Sequence, residues 1–80
     1  MPISTKELDI KLEKILKKVF KIEKIDLEGS IEDISEWYSF AHFQLMDAIE
    51  AEFKIEIGYN DVIIMTSIPI IKKKMMNYLS

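Results

Sequence analysis

The chain predicts an all-α fold, a small antiparallel four-helix bundle with three main helices, one short helix and a long loop between helices one and two. Three observations predict it. Nearly half of the 80 residues are apolar (49%), enough for one core near the lower size limit of a self-sufficient domain. Apolar residues recur at helical spacing in separate segments. Two glycines and two prolines are too few to turn a set of hairpins. Residues 1–80 read as one domain, without repeats or low-complexity segments.

The first helix starts at Ser4, with Glu7 three residues on, the spacing of a capping box. Leu8, Leu12, Ile15 and Val19 form its apolar stripe, widened by Leu16 and Phe20, and Ile10 lies off it. The lysines take the other face and gather late, where the helix dipole favours cations. From Lys21 to Tyr38 the period lapses. Ile25, Leu27, Ile31, Ile34 and Trp37 are spread through this stretch and Gly29-Ser30 permits a turn, so it reads as an ordered loop laid across the helix ends.

The second helix runs from about Ser39 to Phe53. Its inward stripe is His42, Leu45, Met46, Ile49 and Phe53. The opposite face carries Phe40, Phe43, Asp47, Glu50 and Lys54, where two phenylalanines interrupt a charged surface. A short extended or turn segment over 55–59 leads to a brief third helix near 60–65, with Asn60 or Asp61 able to cap it. Ser67 can cap a fourth helix that tolerates Pro69 in its first turn and runs to about Leu79. Ile71, Met75, Tyr78 and Leu79 form its inward stripe.

A net charge of −3 hides a segregation. All positive charge is lysine and sits near the two ends, while Ile25 to Asp61 holds ten carboxylates and only Lys54. That middle suits basic partners and repels nucleic acid. No cysteine is present, so there is neither a disulfide framework nor a thiol of the chain's own, which fits a reducing compartment. The first residues lack the pattern of a secretory signal, and the apolar run Val62 to Ile71 is too short to span a bilayer. The expectation is a soluble, cytoplasmic monomer.

Ser39 stands at the first turn of the acidic second helix, a favourable place for a phosphate group because unpaired N–H groups and the helix dipole both attract an anion. Around it run Glu36-Trp37-Tyr38-Ser39-Phe40, then Asp47-Ala48-Ile49-Glu50-Ala51-Glu52-Phe53-Lys54-Ile55-Glu56-Ile57, then Thr66-Ser67-Ile68 and a last helix from Lys72 to Leu79. In order and spacing these pieces resemble the acyl carrier proteins over nearly the whole chain.

The resemblance implies that a phosphopantetheinyl transferase moves 4′-phosphopantetheine from coenzyme A onto Ser39. The thiol of that arm would hold an acyl or aminoacyl group as a thioester, in fatty-acid or secondary-metabolite biosynthesis. Such a carrier is not itself an enzyme. It presents cargo to loading and transferring enzymes whose basic surfaces dock on helix two, here through Tyr38, Phe40, Phe43, Asp47 and Glu50. Two departures point to a specialised carrier. Tyr38, neutral at pH 7, stands where the family has an aspartate that assists modification. Ala41 and Gln44 stand where fatty-acid carriers often have carboxylates.

Plainer readings compete. Ser39 alone could be an ordinary helix cap, and Tyr38, Phe40 and Phe43 could pack on the loop. His42, three residues after Ser39, has no orienting group or oxyanion site to make it a general base and reads as a core-edge side chain. No catalytic residue is assigned, and a lone histidine with scattered carboxylates offers no metal-ligand spacing. The alternative function is an unmodified, carrier-like interaction module that docks a partner protein through helix two.

Overall fold

In the computed structural model, which describes residues 4–79, the chain forms α1 (Thr5–Phe20), α2 (Ser39–Phe53), α3 (Tyr59–Ile64) and α4 (Ile68–Leu79). This is the expected four-helix, all-α arrangement. Ser4 caps α1 through its Oγ, which accepts from the Glu7 N–H at 3.1 Å. Leu8, Leu12, Leu16 and Phe20 are its buried residues. The core line therefore follows successive i, i+4 positions, and Ile15 and Val19, expected on the stripe, are half-buried at its edge. The reason is geometric: α1 packs against both α2 and α4, so the residues between those contacts are covered most completely.

Both long helices end in the same way. Lys21 and Lys54 adopt the left-handed conformation, with φ of 57° and 55°, and the following isoleucine N–H reaches back to the helix. Ile22 N–H donates to the Lys17 carbonyl at 3.1 Å, and Ile55 N–H to the Glu50 carbonyl at 3.2 Å. These are Schellman-type ends, built with lysine where glycine is the usual choice. The sequence around each is Phe-Lys-Ile-Glu, at residues 20–23 and again at 53–56.

The loop between α1 and α2 is anchored as expected. Ile34 and Trp37 are buried, while Ile25, Leu27 and Ile31 are half-buried against the core. Its middle is sewn to the turn between α3 and α4: Ile31 N–H donates to the Thr66 carbonyl at 2.8 Å, and Ile68 N–H to the Gly29 carbonyl at 2.9 Å. Ser30 and Ser67 form an antiparallel bridge there. At Gly29 the loop's own turn leaves little room for a side chain, since a Cβ would sit 3.0 Å from both the Asp26 carbonyl oxygen and Ile34 Cδ1.

α4 buries Ile68, Ile71 and Met75, with Ser67 Oγ accepting from Ile70 N–H at 3.3 Å as its cap. Tyr78 and Leu79 are half-buried beside this stripe. Lys72 Nζ, 2.8 Å from Asp9 Oδ1, ties α4 to α1. α3 differs in kind. None of its residues is fully buried, and Gly58 occupies the N-cap position expected of Asn60 or Asp61. Asp61 turns instead to α4, where it receives the Tyr78 O–H at 2.6 Å and faces Lys74 Nζ at 3.3 Å. No helix among the described residues is long and apolar enough to cross a membrane.

Candidate functional site

Trp37 and Tyr38 bring the loop onto the start of α2. Tyr38 holds the N-cap position in an extended conformation and makes no side-chain cap; the first turn holds no carboxylate either. The first bond of the helix is His42 N–H to the Tyr38 carbonyl, at 2.8 Å. The N–H groups of Ser39, Phe40 and Ala41 come before it and have no acceptor among the described residues. Ser39 is thus the first helical residue, not the cap. Its side chain is exposed and its Oγ has no hydrogen-bond partner among the described residues. The site combines an available hydroxyl with an uncapped, positively polarised helix end.

His42 lies one turn further on and is buried. Trp37 Nε1–H donates to its Nδ1 at 2.9 Å, and its Nε2 lies 2.7 Å from the Val62 carbonyl oxygen. Because an indole nitrogen only donates, Nδ1 must be the unprotonated nitrogen, and Nε2–H donates to Val62. Neither ring nitrogen remains to take a proton from Ser39. The imidazole instead joins the loop, α2 and α3, with Trp37 stacked beside it at a ring-centroid distance of 6.0 Å and Phe20 behind Trp37 at 5.5 Å. Trp37 itself is only 2% exposed.

Between α2 and α3 runs an open groove of about 200 Å³, lined mainly by apolar groups. Ser39 lies on its rim, Phe43 and Tyr59 flank it, and His42, Val62 and Ile63 lie along it. Phe43 is 56% exposed and Tyr59 73%. The α3 wall of the groove is held by polar bonds. Gly58 N–H donates to the Tyr78 hydroxyl at 2.9 Å while that hydroxyl donates to Asp61. The Tyr78 hydrogen bond, helped by the Lys74 ammonium, lowers the pKa of Asp61; the same bond to Asp61 raises that of Tyr78.

The residues expected to meet a partner do not form one patch. Tyr38 and Phe40 are exposed but line a depression on the α1 side of α2, whereas Phe43 lines the groove on the α3 side. Asp47 is exposed on α2. Glu50 is half-buried and turned to structural use, its Oε2 accepting from Ile57 N–H at 2.8 Å, so it braces the segment after α2. Ala41 is buried against the core and has no room for a charge. The groove residues Tyr59, Val62 and Ile63 were not singled out as site residues by sequence reasoning. Their only signal is a run of apolar side chains on a helix too short to bury them. Among the described residues, no three of His, Cys, Asp and Glu are placed to hold a metal ion.

No protein-family model, curated protein or solved structure matches this chain.

Proposed function

We propose that this chain is a carrier of the acyl carrier protein type, holding an acyl or aminoacyl group as a thioester on 4′-phosphopantetheine joined to Ser39. The observation that carries the reading is the Ser39 hydroxyl, which is exposed, unpartnered, on the first turn of an uncapped helix and on the rim of an apolar groove. A phosphodiester at that oxygen would meet the free N–H groups of Ser39, Phe40 and Ala41 and the positive end of the helix dipole. The arm supplies a thiol that a chain without cysteine lacks. The chain's own residues do the rest. Ser39 anchors, Phe43, Tyr59 and Ile63 offer apolar cover, and the acidic middle of the sequence attracts loading and transferring enzymes with basic surfaces. The proposed setting is the cytoplasm, and the proposed role is non-enzymatic.

Incubation with coenzyme A and a broad-specificity phosphopantetheinyl transferase tests this, read by intact mass. One arm is expected on the native chain and none on Ser39→Ala. Tyr38→Asp restores a carboxylate and a side-chain cap before the serine, so it should accelerate the addition and stabilise α2 by about 1 kcal/mol. Failure of both the native chain and Tyr38→Asp to accept the arm would overturn the proposal.

A second reading is favoured by the exposure of Tyr38 and Phe40 (60% and 65%), with Tyr38 standing where carrier proteins have an aspartate. In it, the bundle is an unmodified interaction module docking through helix two. Partner binding would then survive Ser39→Ala and fall on Phe43→Glu. Binding that requires the arm would end that reading.

A further inference from the structure

On the side of α2 away from Ser39's groove, three shallow depressions of about 430, 480 and 520 Å³ run end to end along the α1–α2 seam. The first two share Lys14, Ile15 and Glu52, and the last two share Lys18, Val19 and Ala48, so together they form one trough. Its apolar floor is Ile15, Val19 and Ala48, with Ile10 exposed at one end and Phe40 at the other.

The α1 bank is a line of cations. Lys11, Lys14 and Lys18 follow one another at intervals of three and four, which keeps them on one flank of α1, and Lys21 at the helix end lines the same trough. Lys11 is engaged by Glu7 at 3.8 Å and Glu52 at 3.9 Å. Lys14, Lys18 and Lys21 have no acidic partner among the described residues. Elsewhere on α1, Lys17 pairs with Glu13 at 3.1 Å and Asp9 with Lys72 of α4, while Lys6, at the far end of the trough, also has no acidic partner among the described residues. The α2 bank is neutral through Gln44, Ala48 and Ala51; three carboxylates line the trough, Glu7 and Glu36 toward its ends and Glu52 where the first two depressions join, and Glu7 and Glu52 are both engaged by Lys11. An acidic protein has thus left four cations, Lys6, Lys14, Lys18 and Lys21, unmatched beside one apolar trough.

We propose that this seam is a docking groove for an acidic amphipathic helix of a partner protein. A trough between two packed helices accepts the ridge of a third. α1, at 16 residues, is about 24 Å long, so the occupant is a helix of roughly four turns. Its apolar stripe lies on Ile15, Val19 and Ala48, and its carboxylates face Lys14, Lys18 and Lys21. A flat membrane meets neither the concave floor nor the lysine bank along its length. The groove does not include Ser39, so this proposal stands or falls separately from the carrier reading.

The test titrates the full isotope-labelled chain with a synthetic helical peptide of about four turns, leucines at i, i+3, i+4 and i+7 and glutamates elsewhere. A second peptide replaces every glutamate by lysine. Resonances of Lys14, Ile15, Lys18 and Ala48 are expected to shift with the acidic peptide only, and the effect should weaken with added salt. Lys14→Glu with Lys18→Glu should reduce affinity by about tenfold or more, with circular dichroism unchanged. Equal binding of both peptides, no binding, or shifts confined to Phe43 and Ile63 would overturn the proposal. So would perturbation of the same residues on concentrating the chain alone, which signals a second copy, or by phosphatidylserine vesicles, which signals a lipid surface.

Discussion

On one side of α2, α1 contributes Leu8, Leu12, Leu16 and Phe20 to the core; on the other, α3 contributes no fully buried residue and leaves Tyr59, Ile63 and Ile64 largely exposed. The first wall is held by hydrocarbon, where each fully buried leucine is worth about 1.5–3 kcal/mol. The second is held by a few polar bonds, His42 to Val62, Gly58 to Tyr78 and Tyr78 to Asp61. Polar bonds near the surface are individually weak and water can replace them. The groove beside Ser39 therefore has one fixed wall and one that can yield. Such a difference would suit the proposed carrier role, in which the groove takes in and releases a flexible group.

Breaking the fixed wall should have the largest effect. Leu16→Ala removes a fully buried side chain and is expected to cost about 2–5 kcal/mol, seen as a lower denaturant midpoint for the whole domain. His42→Leu strikes the joint between the two walls. It leaves the Trp37 N–H and the Val62 carbonyl without partners, at an expected cost of about 1–3 kcal/mol. Amide exchange in α3 should rise more than in α1.

The helix ends offer a gain. Lys21→Gly and Lys54→Gly relieve left-handed strain and should each add about 1 kcal/mol, read as a higher thermal midpoint. Loss of stability in both would show that the lysine side chains matter more than the backbone geometry.

Tyr78→Phe should change the whole-domain midpoint least, yet accelerate exchange in α3 selectively, with α1 amides unaffected. The pH dependence sharpens the point. Asp61 is lowered from its ordinary 3.8, so its share of stability is present above that value and lost as pH falls through the lowered one. Tyr78 is raised from its ordinary 10.0, so its share is present below that value and lost as pH rises through the raised one. Thermal melts of the native chain and Tyr78→Phe should differ most between these limits and less outside them. A difference independent of pH would remove the Tyr78–Asp61 bond from the account of α3.

The bundle was legible because apolar periodicity and caps are local signals. Ser4, the bounds Ser39–Phe53, the Ser67 cap and the loop anchors Ile34 and Trp37 all follow from side-chain type and spacing. The recurring Phe-Lys-Ile-Glu was present in the sequence too, but lysine in place of glycine conceals its role as a helix stop. What could not be read depends on distant parts of the chain meeting. Gly29 faces Ile68 only once the loop is laid down, and Glu50 turns to Ile57 only because the chain reverses at Lys54. At the candidate site, the position of Ser39 at the start of α2 and the burial of His42 were legible from the sequence. The division of Tyr38, Phe40 and Phe43 between two grooves was not, because it depends on which helices pack on either flank of α2.

The lone indole gives the molecule an optical gauge. Trp37 is the only tryptophan, it is sealed from water, and its ring N–H ends on the imidazole that also grips α3. Any event that pulls α3 away from α2 must disturb that imidazole, and the disturbance reaches a chromophore needing no label. Its emission would therefore follow the opening of the groove in the native chain, in real time.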